Sequence, residues 1–484
     1  MDFANTYVAL GERFYQRSEP TPVSSPTLLL WNTRLAEQLS LRQKPASDAE
    51  ALAAIFSGNT LPKGAEPIAS AYAGHQFGNF NPQLGDGRAH LLGELLDDQG
   101  CRWDLQLKGS GRSAFSRNGD GRCAIGPAVR EFIMSEAMQA LGVPTTQCLA
   151  VVTTGESVYR KTAEPGAVVT RVASSHIRLG TFQYFAARGD RESLTKLADY
   201  TIDRHYPEVR ELAGNDHVLL LDKVIEKQIT LVVAWMRVGF IHGVMNTDNT
   251  AICGDTIDFG PCAMMGVYDP QTVYSSIDTS GRYAFGSQPD IAHWNMVRFA
   301  ECILALYEQG DEAIFQQVEP LISDFPRRFQ QQYMAMMAAK FGMAIAEPDD
   351  DKLIRSLLDS FSQRQVDYTI GFDRLTESLQ SEAAADQAAE LLGSAFPAWR
   401  QRLARQATTD DEVYVLMRGQ NPRLIPRNHL MEQVLQSCTE SGQATAAEPF
   451  LEALRSPYEE TPQTAKYQSV DEDFDRGYRT FCGT

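Results

Sequence analysis

The sequence lacks the features that define several classes of protein. Its eight cysteines include no Cys-x-x-Cys pair, so no ligand spacing supports a zinc site. The first residues, "MDFANTYVALGERFYQRSEP", contain neither the basic nor the apolar segment of a signal peptide. Apolar runs such as "LVVAWM" are too short to span a bilayer. We therefore expect a cytoplasmic protein without a disulfide framework or a membrane partner.

Positive charge is also scarce. The chain has 44 Lys and Arg against 62 Asp and Glu, a formal net charge of −18. This balance disfavours broad binding to nucleic acid or to an anionic membrane, although a local basic site remains compatible with it. Internal repeats and low-complexity tracts are absent as well. With 484 residues, 43% of them apolar, the chain can bury one large core or two to three ordinary ones.

The order of predicted elements indicates a fold class. A glycine-dense region precedes two strand-like runs, "RAHLLGELL" and "RWDLQLKG", joined by a turn at Asp97–Gly100. A helix follows between Pro127 and Gly142, then two more strand-like runs, and helical patterns dominate from about residue 190. Near the N-terminus, "LLLWNTRLAEQLSL" reads as a helical patch. The order is that of an α+β, protein-kinase-like, two-lobed fold.

We predict a sheet-rich N-lobe and a helical C-lobe with extra C-terminal helices. The expected divisions are an N-terminal extension (1–65), the N-lobe (66–190), the C-lobe with the catalytic-type loop (191–345) and a helical C-terminal region (346–484).

One stretch, "HGVMNTDNTAICGDTIDFG", nearly matches a kinase catalytic loop. Kinases place an Asp two residues after the His, an Asn five residues later, a short strand, and then Asp-Phe-Gly. His242, Asn249 and Asp258 fall in these places, but Val244 stands where the catalytic Asp belongs. The match is therefore compatible with an inactive kinase, with chance, or with a kinase fold that performs other chemistry.

Lys108 and Glu131 form the first candidate pair. Lys108 ends the second strand of the predicted hairpin, and Glu131 lies early in the following helix. In a kinase-type site such a Lys holds nucleotide phosphates and the Glu orients it. Taken alone, a surface lysine and a solvated glutamate would explain both residues; the order of the parts favours the functional interpretation.

Two Gly-Asp-Gly-Arg tetrads flank the Lys108 strand, at 85–88 and 119–122. Each alone is a turn, but together they predict a phosphate cradle, because glycine lets backbone N–H groups approach an anion. Arg88 gives this region a local positive charge. Arg171 lies among apolar strand neighbours, where it needs an anionic partner unless it reaches solvent, and Arg178 follows it.

The opening stretch supplies candidate metal ligands. Asp258 offers a hard carboxylate oxygen and Asn249 a second oxygen, which suits Mg²⁺ held jointly with nucleotide phosphates. Asp248 is a candidate general base, with an Asx-turn role as the alternative. His242 is expected to bond the loop backbone rather than to bind metal.

These residues together resemble the selenoprotein O family, the YdiU-type protein adenylyltransferases. The resemblance runs along nearly the whole chain, through motifs that include "YAGHQFGNFNPQLGDGRAHLLGE", "LQLKGSGRSAFSRNGDGR", "VREFIMSEAM", "TRVASSHIRLGTF", "HGVMNTDN", "IDFGP" and "NPRLIPRNHL". It implies a kinase-like fold that holds ATP in an inverted orientation, with Mg²⁺ or Mn²⁺. AMP would pass to Ser, Thr or Tyr hydroxyls of proteins, self-modification included, with release of pyrophosphate.

The resemblance also implies a role for each matching residue. Asp248 would accept the proton, Glu131 would orient Lys108, and Asn249 and Asp258 would hold the metal. The residues implied to contact the nucleotide are Gly85, Gly87, Arg88, Lys108, Asp120, Gly121, Arg171, Arg178 and Asp258.

One departure concerns redox control. Family members carry a selenocysteine or cysteine near the C-terminus, which Cys482 matches, and some are thought to pair it with a cysteine in the loop after Asp-Phe-Gly. That loop has no cysteine here, although Cys262 lies just after the motif. A redox switch is therefore not expected.

Three alternatives to AMP transfer remain open: UMP transfer from UTP with Mn²⁺, γ-phosphoryl transfer, and an inactive nucleotide-binding scaffold.

Overall fold

The computed structural model describes residues 1–481. Its strands are β1 (Tyr15–Arg17), β2 (Thr27–Trp31), β3 (Ile68–Ser70), β4 (Gly74–Gln76), β5 (Asn79–Asn81), β6 (Ala89–Leu96), β7 (Arg102–Lys108), β8 (Cys123–Ala124), β9 (Gln147–Tyr159), β10 (Ala163–Ala173), β11 (Phe240–Ile241) and β12 (Ala263–Met264).

The helices of the first half are α1 (Thr33–Gln38), α2 (Pro45–Phe56), α3 (Ile125–Ala140), α4 (Leu179–Ala186), α5 (Arg191–His205), α6 (Asp216–Val238) and α7 (Gln288–Leu304). Those of the second half are α8 (Glu312–Ser323), α9 (Phe325–Lys340), α10 (Asp350–Gln363), α11 (Tyr368–Glu377), α12 (Glu382–Leu392), α13 (Ala395–Leu403), α14 (Asp410–Arg418), α15 (Asn428–Ser441), α16 (Ala447–Leu454), α17 (Pro462–Lys466) and α18 (Glu472–Gly477).

An antiparallel sheet forms the N-lobe, in the order β1-β3-β6-β7-β10-β9-β2, with β8 on β10. Strands from the first 65 residues form both ends of this order. The predicted hairpin is present as β6 and β7, and the chain after β10 is almost wholly helical. The predicted two-lobed fold, with a sheet-rich N-lobe and a helical C-lobe, is confirmed.

Side chains alternate along each strand, so one face of the sheet packs into an apolar core and the other face lines the site. Leu105 and Leu107 of β7 pack with residues of α2 in an apolar core. Gln106 and Lys108 point to the other face, and the register places Arg171 of β10 directly opposite Gln106. The face turned towards the helical lobe therefore carries charged side chains, and α3 packs on β9 and β10 beside it.

Three local predictions were wrong. The patch read as helix from Leu28 begins as strand β2, because its backbone pairs with β9. The run "TAICGDTI" lies where the kinase pattern predicts a short strand before Asp-Phe-Gly, but it makes only isolated bridges, at Ala251 and Thr256. Helix α3 begins at Ile125, two residues before the predicted start at Pro127. None of these differences moves a predicted site residue out of its element.

Candidate functional site

A cavity of about 510 Å³ lies between the charged face of the sheet, the two glycine tetrads and the loop that contains Asp248 and Asp258. All the predicted site residues line it: Gly85, Gly87, Arg88, Lys108, Asp120, Gly121, Glu131, Arg171, Arg178, Asp248, Asn249 and Asp258. The fold thus brings together residues that are as far apart in sequence as Gly85 and Asp258.

The predicted Lys108–Glu131 contact is present as a buried ion pair. Lys108 Nζ lies 2.7 Å from Glu131 Oε2, at the point where β7 ends against α3. Burial raises the pKa of the Glu131 carboxyl, but Arg171 and Lys108 more than offset this and lower it overall. Glu131 is therefore ionised, and it fixes the Lys108 ammonium at the cavity wall.

Asp258 is contacted by three cationic side chains. Its Oδ1 accepts from Lys108 Nζ at 2.9 Å and from Arg171 Nη2, and its Oδ2 lies 3.5 Å from Arg178 Nη1. Burial raises its pKa, but these cations lower it well below the ordinary range, Arg171 most strongly. Asp258 also has a φ of +67°, a left-handed conformation that is uncommon for a residue with a side chain.

Arg171 is buried, with 2% of its surface exposed, so it does not reach solvent. Its guanidinium bridges Glu131 and Asp258, which are the anionic partners that burial of an arginine requires. Arg178 stacks over the Tyr72 ring at 4.6 Å and lies 3.7 Å from Asp86. The two arginines therefore present a cationic surface to the cavity while protein carboxylates balance their charge.

Both glycine tetrads are at the cavity wall, and each contains a glycine that is sterically required. A Cβ at Gly85, where φ is +72°, would lie 2.2 Å from the Phe115 ring. At Gly121, where φ is +70°, it would lie 2.1 Å from the carbonyl oxygen of Gly111. Asp120 forms an ion pair with Arg160 at 2.8 Å, which holds the second tetrad against the β9–β10 turn.

Asp248 lies in a single 3₁₀ turn, Thr247–Asn249. Its Oδ2 accepts a hydrogen bond from Gln76 Nε2 at 3.3 Å, and its Oδ1 is buried without a hydrogen-bond partner. Its backbone oxygen accepts from Arg178 Nη1 at 2.9 Å. Burial raises the pKa of the carboxyl to about 6, although Arg178 lowers it. Such a carboxylate is mostly ionised at neutral pH and is a better proton acceptor than an exposed Asp.

His242 bonds the loop backbone as predicted. Its Nε2 donates to the carbonyl oxygen of Ile257 at 2.9 Å, and its Nδ1 accepts from Val244 N at 3.3 Å. This pattern requires the neutral imidazole, and burial lowers the pKa of His242. The imidazole therefore joins the catalytic-type loop to the residue before Asp258.

The predicted metal ligands fit a divalent ion that is shared with a substrate. Asn249 donates its amide N–H to the Val244 carbonyl at 3.0 Å, which leaves its side-chain oxygen to accept. Within residues 1–481 no group of three His, Cys, Asp or Glu could hold a metal unaided. Asn249 and Asp258 would offer such an ion two hard oxygens, and its remaining ligands would then be phosphate oxygens or water, as Mg²⁺ sites commonly allow.

Several residues at the site were not among the predicted site residues. Asp86 accepts from Gln106 and from the backbone of Ser70, beside Arg178. Gln76 and Arg160 line the cavity from a short hairpin and a strand turn. Asp86 belongs to the first glycine tetrad, which was recognised as a motif, and the signal for Gln106 is its alternation with Lys108 along β7.

Of the two cysteines considered for redox control, Cys262 lies within the described residues. Cys262 is buried, its thiol contacts the carbonyl oxygen of Phe259, and burial raises its pKa to about 12. Cys482 lies outside the described residues. In the described part of the chain, no helix is long and apolar enough to cross a membrane.

The family model described as "Protein adenylyltransferase SelO" matches residues 1–455. Similar proteins named "Protein nucleotidyltransferase YdiU" come from Teredinibacter turnerae, 50% identical with 100% of both chains covered, and from Anoxybacillus flavithermus, 51% identical with 100% of this chain and 99% of that one. A third, from Rhizobium johnstonii, is 49% identical and covers 100% of this chain and 97% of its own.

Among solved structures, the chain is similar to ROP2 from Toxoplasma gondii, described as a virulence factor with a protein-kinase fold and no enzymatic activity. The match has 12% identity and a TM-score of 0.24, and covers 69% of this chain and 85% of that one. At this TM-score the match carries no weight for the fold or the activity of the chain.

Proposed function

The chain belongs to the SelO family of protein adenylyltransferases, and from that premise we propose that it transfers AMP from ATP to Ser, Thr or Tyr hydroxyls of proteins. The acceptor oxygen attacks the α-phosphorus, the bond from that phosphorus to the bridging oxygen of the β-phosphate breaks, and pyrophosphate leaves. The hydroxyl proton passes to the Asp248 carboxylate. Self-modification is one case of this reaction.

The observation that carries this proposal is the convergence of three cationic side chains and the buried Asp248 carboxylate on the same cavity. Lys108, Arg171 and Arg178 lie on one wall and Asp248 on another. A triphosphate carries several negative charges, and fixed cations can balance them without reorganisation. Asp248 has a raised pKa and a location beside Arg178, which suits proton acceptance near the reacting phosphate.

The inverted orientation of ATP implied by the family resemblance gives the cations a purpose. With the α-phosphate facing the acceptor, the β- and γ-phosphates would extend towards the sheet, where a kinase holds adenine. Arg171 and Arg178 occupy that side, and each is buried with carboxylate partners. A guanidinium fork can hold two phosphate oxygens at once.

The metal would be held by Asp258 and Asn249 together with phosphate oxygens. A divalent ion there would offset the charge that builds on the leaving pyrophosphate. The part played by the protein is to keep the Asp258 carboxylate ionised, which its three cationic neighbours ensure. Mg²⁺ and Mn²⁺ both suit two hard oxygen ligands.

The deciding experiment compares ATP labelled at the α-phosphate with ATP labelled at the γ-phosphate. We expect α-label, and not γ-label, to appear on the enzyme or on an acceptor protein, with each metal tested in turn. Labelling from γ-phosphate alone would identify a kinase, and UTP used in preference to ATP would identify a uridylyl transferase. Nucleotide binding without transfer of any label would indicate a catalytically inactive scaffold and refute the proposal.

Asp258→Ala tests the site assignment in the same assay. We expect label transfer to disappear, because the metal loses its only charged protein ligand. Asp98→Ala is the matched control, since Asp98 is exposed in the β6–β7 turn. Full transfer by Asp258→Ala would show that the metal site is elsewhere.

A further inference from the structure

The motif "NPRLIPRNHL", which spans residues 421–430, has no role in the site described above. Both of its asparagines are buried: Asn421 is 0% exposed and Asn428 is 5% exposed. A buried side-chain amide is stable only when its oxygen and its two N–H groups find partners. The partners of Asn428 connect this distant motif to the segment that follows Asp258.

The Asn428 amide makes three hydrogen bonds. Its Oδ1 accepts from the backbone N–H of Met264 at 3.0 Å, and its Nδ2 donates to the backbone oxygen of Met264 at 2.8 Å. The second Nδ2 hydrogen is directed to Asp475 Oδ1 at 3.0 Å. A flipped amide would place N–H against N–H, so the network fixes its orientation.

Through these bonds Asn428 takes the place of a missing strand. Met264 lies in β12, which pairs with β11 through Phe240 on one side. On its other side, the N–H and C=O of Met264 face the Asn428 amide, which offers a donor and an acceptor with the spacing of a neighbouring backbone. Without that amide, two buried backbone groups would lose their partners.

The two strands held in this way carry the catalytic segments. β11 leads into the loop that contains His242 and Asp248, and β12 follows Asp258 by a few residues. The left-handed backbone at Asp258 persists only if the chain is fixed on both sides of it. The His242 bond to Ile257 fixes the chain upstream, and the Asn428 pairing with Met264 fixes it downstream.

We propose that Asn428 is a positioning residue for nucleotidyl transfer: its amide pairs with the outer edge of β12 and thereby holds Asp258 in place. The residue touches neither substrate nor metal, and it acts through the backbone of residues 259–264. This inference rests on the proposed function for its catalytic consequence, but the structural part is independent of it.

The test compares Asn428→Ala with Asn421→Ala. Asn421 is the matched control, since its amide also makes three hydrogen bonds, to Lys340 O, Lys340 Nζ and Thr376 Oγ1, within the C-terminal helices. We expect Asn428→Ala to speed hydrogen exchange in residues 259–266 at least tenfold and to lower kcat at least tenfold, with a smaller change in the KM for ATP. Asn421→Ala should lower the thermal midpoint and leave exchange in residues 259–266 unchanged.

Asn428→Asp provides a second variant should the alanine protein fail to fold. It keeps an oxygen for the Met264 N–H and loses the donors to Met264 O and Asp475. The Met264 amide should stay protected while kcat falls at least threefold. Any of three results would overturn the proposal. The first is wild-type kcat in both Asn428 variants, and the second is hydrogen exchange in Asn428→Ala within twofold of the wild-type rate. The third is a loss of kcat in Asn421→Ala equal to that in Asn428→Ala. If the wild-type chain transfers no AMP, the proposed function fails, yet the exchange comparison still decides whether Asn428 holds the segment.

Discussion

Gly74→Ala is the sharpest steric test of Asp248. A Cβ added at Gly74 would lie 2.6 Å from Asp248 Oδ1, 3.0 Å from its Cβ and 3.1 Å from its Cγ. Comfortable contacts between such atoms are about 3.5 Å, so the carboxylate has to move by roughly 0.5–1 Å. Gly74 does not have a left-handed backbone, so the substitution adds no backbone strain of its own.

The backbone around Asp248 is held by hydrogen bonds, so it cannot shift to move the side chain away from the added methyl group. The Asp248 carbonyl oxygen is held by Arg178 at 2.9 Å, and the neighbouring Thr247 hydroxyl accepts from the backbone N–H of His75 at 2.7 Å. The side chain must therefore rotate and give up the bond from Gln76. Misplacement of a reacting group by about 1 Å can lower a rate about 100-fold. We expect kcat to fall roughly 10- to 100-fold, with the KM for ATP nearly unchanged and about 1–3 kcal/mol of stability lost to overpacking.

The assay is steady-state transfer of α-labelled AMP at saturating acceptor, with thermal unfolding measured on the same preparations. Gly126→Ala is the matched control: at that position in α3 an added Cβ comes no closer than 3.7 Å to any atom, at Thr439 Oγ1. The control should keep wild-type kcat and lose no stability, because Ala favours a helix over Gly. Wild-type kcat in a folded Gly74→Ala protein would refute the role of Asp248 as proton acceptor.

Four further predictions concern the charged residues of the cavity. Transfer should fall as pH drops below about 6, the pKa to which burial raises Asp248, because only the carboxylate can accept a proton; a pH–rate profile measures this. Because that pKa is raised from 3.8, ionisation of Asp248 destabilises the fold as the pH rises from about 4 to about 6. Asp248→Asn should therefore be inactive, yet about 3 kcal/mol more stable than the wild type at pH 8. Thermal unfolding should show no such gain in stability at pH 4. Arg171→Met should lower stability by about 3–5 kcal/mol, because it leaves the buried Glu131 and the partly buried Asp258 short of a partner; an unchanged thermal midpoint would contradict this. Lys108→Ala should raise the KM for ATP far more than Lys44→Ala, a change at an exposed lysine, and equal values would argue against phosphate contact.

The sequence allowed the order of the parts to be predicted because each has a local signal. Glycine tetrads, a lysine at a strand end and Asp-Phe-Gly can each be recognised within a few residues. The hairpin β6–β7 and helix α3 follow from turn residues and apolar periodicity, and the structure contains both. The positions of Lys108 and Glu131 within these elements were therefore predictable.

Contacts that depend on strand register were not predictable in the same way. Arg171 faces Gln106 because of how β7 and β10 are aligned, and no local pattern reports that alignment. The contact between Asp86 and Arg178 likewise depends on how segments distant in sequence pack together. The apolar run at Leu28 satisfies both helix and strand patterns, and pairing with β9 decided between them. The pairing of Asn428 with Met264 joins residues 164 apart in sequence.

Val244 explains how a kinase-like loop can lose its aspartate and keep its geometry. Its backbone N–H donates to His242 and its carbonyl oxygen accepts from Asn249, so the loop depends on the backbone of this residue and not on a carboxylate side chain. Asp248 comes four residues later in the next turn, where Gly74 and Gln76 of a short hairpin enclose it. That hairpin and the loop are joined again by Phe77 N to Asn246 Oδ1, at 3.1 Å. The loop thus supplies the proposed proton acceptor, and a hairpin of the N-lobe holds it in place, with Gly74 leaving the room that the Asp248 carboxylate occupies.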